Sequence, residues 1–443
     1  MKKINPKKLT AREKLKFYET LKFPKGFLWG TATSSHQVEG DNKNNDWWVW
    51  EHDKKYKRLH SDLATNQYKL YEQDIKLMKT LNQNSHRFSI EWSRIEPKEG
   101  VWDYCAIAHY KDELKKMKKA KIKTMVTLHH FTNPIWFAKK AAFTRKESIF
   151  YFNRYASFVA EQLGDLVDFW ITINEPLVYA SQSYLSGVWP PQIKSKWKAI
   201  KVYLNLARSH KEVYQSINKI YKRKKWGKPK IGIAQNAISI HSYEPYSFKS
   251  FLLVSFINWF YNHSFLSLTK GRHDFLGINY YFHFRVDKSI LKTFNFFINA
   301  YLEHREMSSV GWEIYPQGIF NVLLDMKKYN LPIYITENGI ATLSENKRAR
   351  YLISYLKEIY HAIYAGVPIK GYFYWSLLDN FEWEKGFEPR FGLIEVNYKT
   401  FERITRFTAH VYSKICQTNS IPPYLLKFLG YGIKPEDIKI IKL

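Results

Sequence analysis

The sequence predicts an α/β fold, a single (β/α)8 TIM barrel, and three observations support this prediction. Eight short runs rich in Ile, Val, Phe and Trp recur along the 443 residues, and longer charged stretches with helical periodicity separate them. The runs are almost continuously apolar, as strands are when helices cover both faces of a parallel sheet. No glycine-rich phosphate-binding fingerprint follows the first run, which disfavours the alternative of a doubly wound open sheet.

The predicted strands alternate with segments long enough to hold a crossover helix, as parallel neighbours require. The stretch KRARYLISYLKEIYHAI, residues 347–363, is one example of an amphipathic helical pattern. In chain order, the predicted strands are residues 27–33, 83–90, 123–130, 167–174, 229–236, 274–281, 331–338 and 370–377.

The barrel accounts for residues 23–419, so the sequence predicts one domain with two appendages. Residues 1–22 are a basic, helix-prone N-terminal extension. Residues 420–443 are a C-terminal tail with two turn signals and a few apolar anchors. We expect both appendages to pack on the bottom or side of the barrel and to contain no functional site.

The protein is strongly basic, with 69 Lys and Arg against 40 Asp and Glu and a formal net charge of +29. Short basic runs occur at 2–8, 115–123 and 221–230, but the excess is mostly spread along the chain. This distribution favours a solvated, Lys-rich surface over the alternative of a nucleic-acid-binding protein, although weak binding to polyanions at low salt is expected. No specific nucleic-acid partner is predicted.

Cysteine content and hydropathy favour a cytoplasmic location. Cys105 and Cys416 are the two cysteines and lack a metal-ligand spacing, which argues for a reducing compartment. The basic N-terminus has no apolar h-region, and no run of about 18 apolar residues occurs, so we expect neither export nor a membrane partner. No feature of the sequence predicts an oligomeric state, a metal or an organic cofactor.

Two predicted strands end on a glutamate, Glu175 in ITINEP and Glu337 in YITENG. In a (β/α)8 barrel, functional groups gather where the strands end at the C-terminal face. By alternation, Ile171, Ile173 and Glu175 share one face, as do residues 333, 335 and 337, so both glutamates point into the barrel mouth if the isoleucines fill its interior. We also expect the following proline to keep Glu175 extended.

Paired carboxyl groups across a cavity are the equipment of glycoside hydrolysis, in which one is the general acid and the other a nucleophile or base. The 15 Trp and 32 Tyr residues suit such a site because flat rings stack on sugar faces, although core packing accounts for most of them. A strand-end glutamate can instead cap a helix or pair with an arginine. The matching position of the two favours the catalytic interpretation.

Several ordered motifs resemble those of glycoside hydrolase family 1, the retaining β-glycosidases. TINEP at 172–176 and ITENG at 335–339 are similar to the two motifs that carry the catalytic carboxylates in that family. FPKGFLWGTATSSHQVEG at 23–40, RFSIEWSRIEPKEG at 87–100 and GYFYWSLLDNFEWEKGFEPRFGL at 371–393 look like further family segments. The resemblance covers nearly the whole chain.

The resemblance implies a role for each matching residue. Glu337 is the expected nucleophile and Glu175 the expected acid and base. The expected nucleophile-orienting residues are Arg87 and Tyr281, although an ordinary salt bridge elsewhere in the mouth is the alternative for Arg87. The expected substrate-binding residues are Gln37, His130, Asn174, Glu382 and Trp383 for the sugar hydroxyls, Trp375 for its apolar face and Trp312 for the aglycone. Strand alternation lets one of His129 and His130 face inward, and the family pattern selects His130.

The function implied is that of a retaining exo-β-glycosidase of carbohydrate metabolism. It would hydrolyse terminal non-reducing β-D-glucosyl residues of a small glycoside or oligosaccharide, with galactosides and fucosides as secondary substrates. One alternative is a 6-phospho-β-glucosidase, which the retained Glu382 disfavours because its charge would repel a phosphate. Another is a catalytically weak sugar-binding protein on the same barrel, which the presence of both carboxylates disfavours.

Two segments depart from the family pattern. The segment at 237–273, between the fifth and sixth predicted strands, is short and heavily aromatic. The segment at 288–305 is Phe-rich. Both lead into loops that shape the aglycone entrance. Helical periodicity could equally make them core-facing, and we favour that interpretation for residues 237–273.

Overall fold

The computed structural model describes residues 20–242, 248–286 and 305–429. Within them, eight parallel strands close into a barrel in sequence order, which confirms the predicted fold. Each strand lies within two residues of its predicted ends. The barrel strands are β1 (Leu28–Ala32), β2 (Ser85–Ser89), β3 (Lys123–His129), β4 (Phe169–Asn174), β5 (Ile231–Asn236), β6 (Leu276–Asn279), β7 (Ile333–Asn338) and β8 (Ile369–Trp375).

Helices cover the outside of the barrel. The longer ones are α1 (Gln67–Thr80), α2 (Tyr104–Lys119), α3 (Ser148–Leu163), α4 (Lys196–Lys224), α5 (Phe248–Asn258), α6 (Pro316–Met326), α7 (Glu345–Tyr364) and α8 (Phe407–Thr418). The shorter ones are Ser35–Val38, Asp46–Glu51, Trp92–Ile95, Ile135–Lys139, Pro176–Tyr184 and Ser264–Leu268, with a π-helical turn at Trp259–His263. Short 3₁₀ segments lie at Ala142–Thr144, Gly164–Leu166, Lys327–Tyr329, Trp383–Lys385 and Pro423–Leu429. None of the described helices is long and apolar enough to cross a membrane.

Several helices begin where a side chain accepts a hydrogen bond from the first turn. Asp103 accepts from the backbone of residues 105 and 106 at the start of α2. Ser195 and Ser344 do the same for α4 and α7. These caps satisfy amide groups that have no partner inside the helix. The predicted helix at residues 347–363 lies within α7.

Two hydrophobic clusters divide the core into a barrel interior and a shell between strands and helices. In the interior, the rings of Phe169 of β4, Phe275 just before β6 and Tyr334 of β7 lie 5.2 to 5.7 Å apart in pairs. Because Tyr334 faces inward, alternation turns Ile333 and Ile335 outward, and both pack in the shell cluster with α7. The prediction that these isoleucines fill the interior is wrong.

Short ribbons extend the barrel. Leu21–Lys22 pairs with Ser420–Ile421, and Ile394–Val396 pairs with Arg403–Thr405, both antiparallel. Ser239–Ser242 and His283–Val286 form a parallel ribbon beyond the ends of β5 and β6.

Both cysteines are free. Residues 1–19, 243–247, 287–304 and 430–443 lie outside the described parts of the chain, and with them the basic run at 2–8 and most of the Phe-rich segment. The division at residues 22 and 419 stays a prediction.

Helix α5 differs from expectation. It lies in the aromatic segment 237–273 that we expected to face the core, yet Ser250 and Ile257 are its buried residues. Phe251 and Phe256 are each 61% exposed. The helix is apolar on every side, so its sequence pattern does not distinguish an inward face from an outward one.

Candidate active site

Glu337 is held by two strong hydrogen bonds at the mouth of the barrel. Arg87 on β2 donates from Nη1 to Oε1 at 2.5 Å, and the hydroxyl of Tyr281 donates to Oε2 at 2.6 Å. All three residues are buried. Burial and the charge of Glu337 raise the pKa of Tyr281 well above its usual range, so the phenol remains a donor. Both carboxylate oxygens are therefore fixed in position.

A bulge in β7 turns Glu337 into the barrel. Ile335 pairs with Ile278 of β6 and Glu337 pairs with the next residue, Asn279, so Thr336 is an extra residue on β7. Regular alternation would place Glu337 outside with Ile335. The extra residue reverses the alternation, so Glu337 points inward for a different reason from the one predicted.

A similar irregularity precedes Glu175. Ile171 and Asn174 of β4 pair with residues of β5 that are only two positions apart, which again leaves one extra residue on the strand. Ile171 belongs to the interior cluster, whereas Ile173 packs in the shell cluster. The predicted shared face of Ile171, Ile173 and Glu175 is therefore wrong, although Glu175 lies at the mouth.

The backbone of Glu175 is left-handed, with φ 42° and ψ 63°, and not extended as expected. Pro176 begins the helix Pro176–Tyr184, a position that suits a proline because its missing N–H is not needed there. Glu175 makes the turn between strand and helix, and its amide donates to the carbonyl of Ala234 at 2.8 Å. This hydrogen bond ties the left-handed turn at the end of β4 to the neighbouring strand β5.

Two asparagine amides hold the carboxyl group of Glu175. Asn279 donates to Oε1 at 2.8 Å and Asn236 donates to the same oxygen at 3.2 Å. Burial, followed by the charge of Glu337, raises the pKa of Glu175 to about 8, and the two amides partly oppose this rise. At neutral pH, Glu175 is thus a protonated acid beside Glu337, whose oxygens are held by Arg87 and Tyr281.

Asn174 connects the two carboxyl sites. Its Oδ1 accepts from Arg87 Nη2 at 2.7 Å and from Asn279 Nδ2 at 3.2 Å. Its Nδ2 lies 3.1 Å from Nε2 of His130, which must accept because the amide can only donate. Burial, followed by the nearby Arg87, lowers the pKa of His130 well below its usual range, so the neutral ring carries its proton on Nδ1.

The Nδ1 atom of His130 is buried and has no hydrogen-bond partner within the described residues. A buried N–H of this kind suits a hydroxyl group supplied by a ligand. The neighbouring His129 turns away and lies 3.2 Å from the side-chain oxygen of Asn133. Of the pair, His130 is therefore the residue beside Asn174 and Trp375 at the barrel mouth.

The remaining residues that were predicted to bind sugar line the same mouth. Gln37 donates from Nε2 to Asn380 at 3.0 Å and to Glu382 at 3.2 Å. Burial, then the charges of Glu384 and Glu337, raise the pKa of Glu382 to about 8. Trp375 and Trp383 each lie 6.1 Å from the ring of His130 in near-parallel orientation.

Trp312 lies on the side of Glu337. It is half-buried, and its ring is 5.2 Å from that of Tyr281 and 5.3 Å from that of Phe282. The residues predicted for the site therefore lie together at the barrel mouth, and Arg87 reaches it from the middle of β2.

Sequence reasoning missed the polar residues that support the glutamates. Asn236 and Asn279 end β5 and β6, and the reasoning that selected strand-end glutamates could have selected them as well. Thr127, which accepts from Arg87 Nε at 3.2 Å, lies within a strand and carries no comparable signal.

One cluster within the described residues has side chains close enough to hold a metal ion: His52, His60 and Asp62. His52 lies 3.1 Å from Asp62, and its other ring nitrogen donates to the carbonyl of Trp48. The cluster is largely exposed, and none of its three members hydrogen-bonds to Glu175 or Glu337. The chemistry of the carboxyl pair requires no metal.

Known proteins are similar in sequence to this chain over most of its length. The sequence profile of glycosyl hydrolase family 1 matches residues 19–265 and 257–421. β-Glucosidase A of Thermotoga maritima is 31% identical over 90% of this chain and 99% of its own. β-Galactosidase of Pyrococcus woesei is 30% identical over 90% of this chain and 98% of its own.

Solved structures agree with this relationship. A β-glycosidase from Pyrococcus horikoshii is 40% identical, with a TM-score of 0.84 over 95% of this chain and 100% of that one. A β-glucosidase from Thermotoga maritima in complex with glucoimidazole is 30% identical, with a TM-score of 0.83 over 90% of this chain and 99% of that one. The chain therefore belongs to glycosyl hydrolase family 1 and is an O-glycosyl hydrolase of the β-glucosidase type.

Proposed function

We propose that the protein is a retaining exo-β-glycosidase that releases terminal non-reducing β-D-glucose by double displacement, with β-galactosides and β-fucosides as secondary substrates. The observation that supports this most directly is the difference between its two buried carboxyl groups. Arg87 and Tyr281 bind both oxygens of Glu337, whereas Glu175 has a pKa of about 8 and receives two amide hydrogen bonds on one oxygen. A nucleophile and an acid need this contrast.

In the first step, Glu337 attacks the anomeric carbon while Glu175 transfers its proton to the leaving oxygen. A retaining reaction requires the two carboxyl groups about 5–5.5 Å apart. The nucleophile becomes a neutral ester, so its charge no longer raises the pKa of Glu175. In the second step, water attacks the anomeric carbon of this ester while Glu175 accepts its proton. The bond to Glu337 breaks, and the two successive inversions leave the sugar in its original configuration.

Polar and aromatic groups at the mouth would hold the glucosyl unit. Gln37, His130 and Glu382 offer both donors and acceptors, as sugar hydroxyls require. Asn174 would contact the 2-hydroxyl, where hydrogen bonds strengthen in the transition state. Trp375 would stack on the apolar sugar face.

Residues at the edge of this sugar site would contact the leaving group and would distinguish a sugar from its 6-phosphate. Trp383 would complete the hydroxyl-binding set, and Trp312 would line the aglycone side. A 6-phosphate would meet Glu382 and Glu384, while the nearby Lys385 is paired to Glu384 at 3.3 Å. This arrangement favours an unphosphorylated sugar.

The two free cysteines suit the cytoplasmic location that forms part of this proposal.

The configuration of the first-formed product tests the mechanism. Proton NMR of a reaction with an aryl β-glucoside should show the β-anomer of glucose before mutarotation, and α-anomer first would refute the double displacement. Glu337→Ala should leave almost no turnover, while Glu388→Ala, at an exposed position, should retain full activity. Wild-type-like turnover in Glu337→Ala would contradict the proposal.

The sugar preference is measured by comparing kcat/KM for four aryl substrates: the β-glucoside, the β-galactoside, the β-fucoside and the 6-phospho-β-glucoside. We expect the glucoside to be preferred and the phosphorylated sugar to be the poorest substrate. A preference for the phosphorylated sugar would show that the protein is instead a 6-phospho-β-glucosidase. Binding of glucoside without turnover of any of the four would indicate a sugar-binding protein.

A further inference from the structure

Helix α5 and the π-helical turn that follows it present a continuous apolar stripe to solvent. The exposed positions recur every three or four residues, which places them on one side of the helix. We call these residues the outward stripe. They are Phe248 (73% exposed), Phe251 (61%), Leu252 (51%), Phe256 (61%), Trp259 (49%) and Phe260 (40%).

The opposite side of α5 already anchors it to the protein. Leu253, Val254 and Ile257 pack with Ile240 and Val286 of the parallel ribbon beyond β5 and β6. The outward stripe is therefore not needed to hold the helix in place. From typical aromatic side-chain areas, it exposes on the order of 600 Å² of apolar surface. A patch of that size usually marks a binding surface.

Charge indicates the partner that this surface fits. The protein carries a net charge of +29. Lys249 lies exposed on α5 itself and Lys270 is exposed just beyond the helix Ser264–Leu268. Lys328, beside the π-helical turn, is instead paired with Asp325 at 3.0 Å. A second copy would bring the same charge and be repelled. A nucleic acid would match the lysines and leave the aromatic stripe exposed to water.

We propose that the outward stripe docks the protein on the surface of an anionic phospholipid bilayer. Phe, Leu and Trp side chains enter the boundary between headgroups and acyl chains, and the lysines contact the anionic headgroups. The helix lies in the plane of the membrane and does not cross it. The expectation of no membrane partner rested on the absence of a spanning segment, which does not exclude surface binding.

The docking surface is continuous with the mouth of the barrel. Aromatic rings lead from Trp312 to Phe282 at 5.3 Å, to Phe284 at 5.2 Å and to Tyr261 beside the stripe at 6.4 Å. Docking would therefore bring the catalytic mouth close to the bilayer.

Vesicle co-sedimentation of the full chain tests this proposal without using glycosidase activity. The probes are vesicles of phosphatidylcholine alone and of phosphatidylcholine with phosphatidylglycerol, at low and at high salt. The test variant is Phe251→Ser/Phe256→Ser. The matched control is Phe150→Ser/Tyr364→Ser, which removes two rings that are 63% and 87% exposed elsewhere. Circular dichroism and thermal melting show that each variant is folded.

We expect the wild type and the control to bind anionic vesicles at least tenfold more tightly than the test variant does, and high salt to weaken the binding. Equal binding by the test variant would overturn the proposal because charge alone would then suffice. Equal binding to neutral vesicles would overturn the anionic requirement. Absence of wild-type binding to either kind of vesicle would overturn the whole proposal. A dimer in sedimentation velocity that the test variant abolishes would assign the stripe to self-association instead.

Discussion

Removing the amide of Asn279 should raise the pKa of Glu175 and move the alkaline limb of the activity profile to higher pH. The Asn279 amide donates at 2.8 Å to Glu175 and thereby favours the ionised carboxylate. Activity needs the protonated form, so kcat/KM of the wild type should fall as the pH rises through about 8. The variant Asn279→Ala should stay active to a higher pH, although its maximum rate should be lower.

The size of the shift follows from the strength of the lost hydrogen bond. A hydrogen bond to a charged group contributes about 1.5–3 kcal/mol, and one pKa unit corresponds to about 1.4 kcal/mol. Water that enters the space left by the side chain replaces part of this hydrogen-bond energy, so we expect the pKa of Glu175 to rise by about one unit. Asn236→Ala should give a smaller shift because its amide is 3.2 Å from the same oxygen and is less buried.

The assay is kcat/KM for an aryl β-glucoside with a poor leaving group, measured from pH 5 to 10. Asn218→Ala, on the outer helix α4, is the control and should keep the wild-type profile. Glu382 has a pKa that is also about 8, so Glu382→Gln must be measured as well. An alkaline limb that disappears in Glu382→Gln, or that stays in place or moves to lower pH in Asn279→Ala, would refute the assignment of this limb to Glu175.

Three further predictions follow from the described contacts. Glu175→Ala should reduce kcat by about 10²–10⁴-fold for poor leaving groups and far less for a dinitrophenyl glucoside, and equal losses would contradict its role as acid. Tyr281→Phe should lower kcat/KM by about 10–100-fold because Glu337 loses a hydrogen bond, and unchanged kinetics would refute the orienting role. Asp74→Asn should lower the free energy of unfolding by about 3–5 kcal/mol, because Arg403, fully buried 3.0 Å away, keeps an uncompensated charge. Denaturant titration measures this loss, and a loss no larger than that of the exposed control Asp165→Asn would contradict it.

Much of the fold follows from local patterns in the sequence. Eight apolar runs separated by helical stretches are enough to predict the barrel, because parallel strands covered on both faces have few other arrangements. The ends of the strands likewise identify Glu175 and Glu337, since the C-terminal ends of barrel strands meet at one face. These features depend on neighbours within a few residues.

The orientation of the two glutamates was decided by contacts between strands. The extra residues in β4 and β7 appear only in the pairing with β5 and β6, and they reverse the alternation from which the inward direction had been inferred. Alternation is a property of one strand, whereas a bulge is a property of a pair.

By itself, the sequence determined the barrel and the positions of its two carboxyl groups, because hydrophobic periodicity and strand ends are local. Only the tertiary structure decided what surrounds them. Asn279 and Asn236 come from different strands to bind one oxygen of Glu175, and burial together with Glu337 sets its pKa. The tertiary structure also decided which face of α5 is exposed. The helix is apolar on every side, so its sequence favours no face, and the neighbouring ribbon buries the face that it contacts.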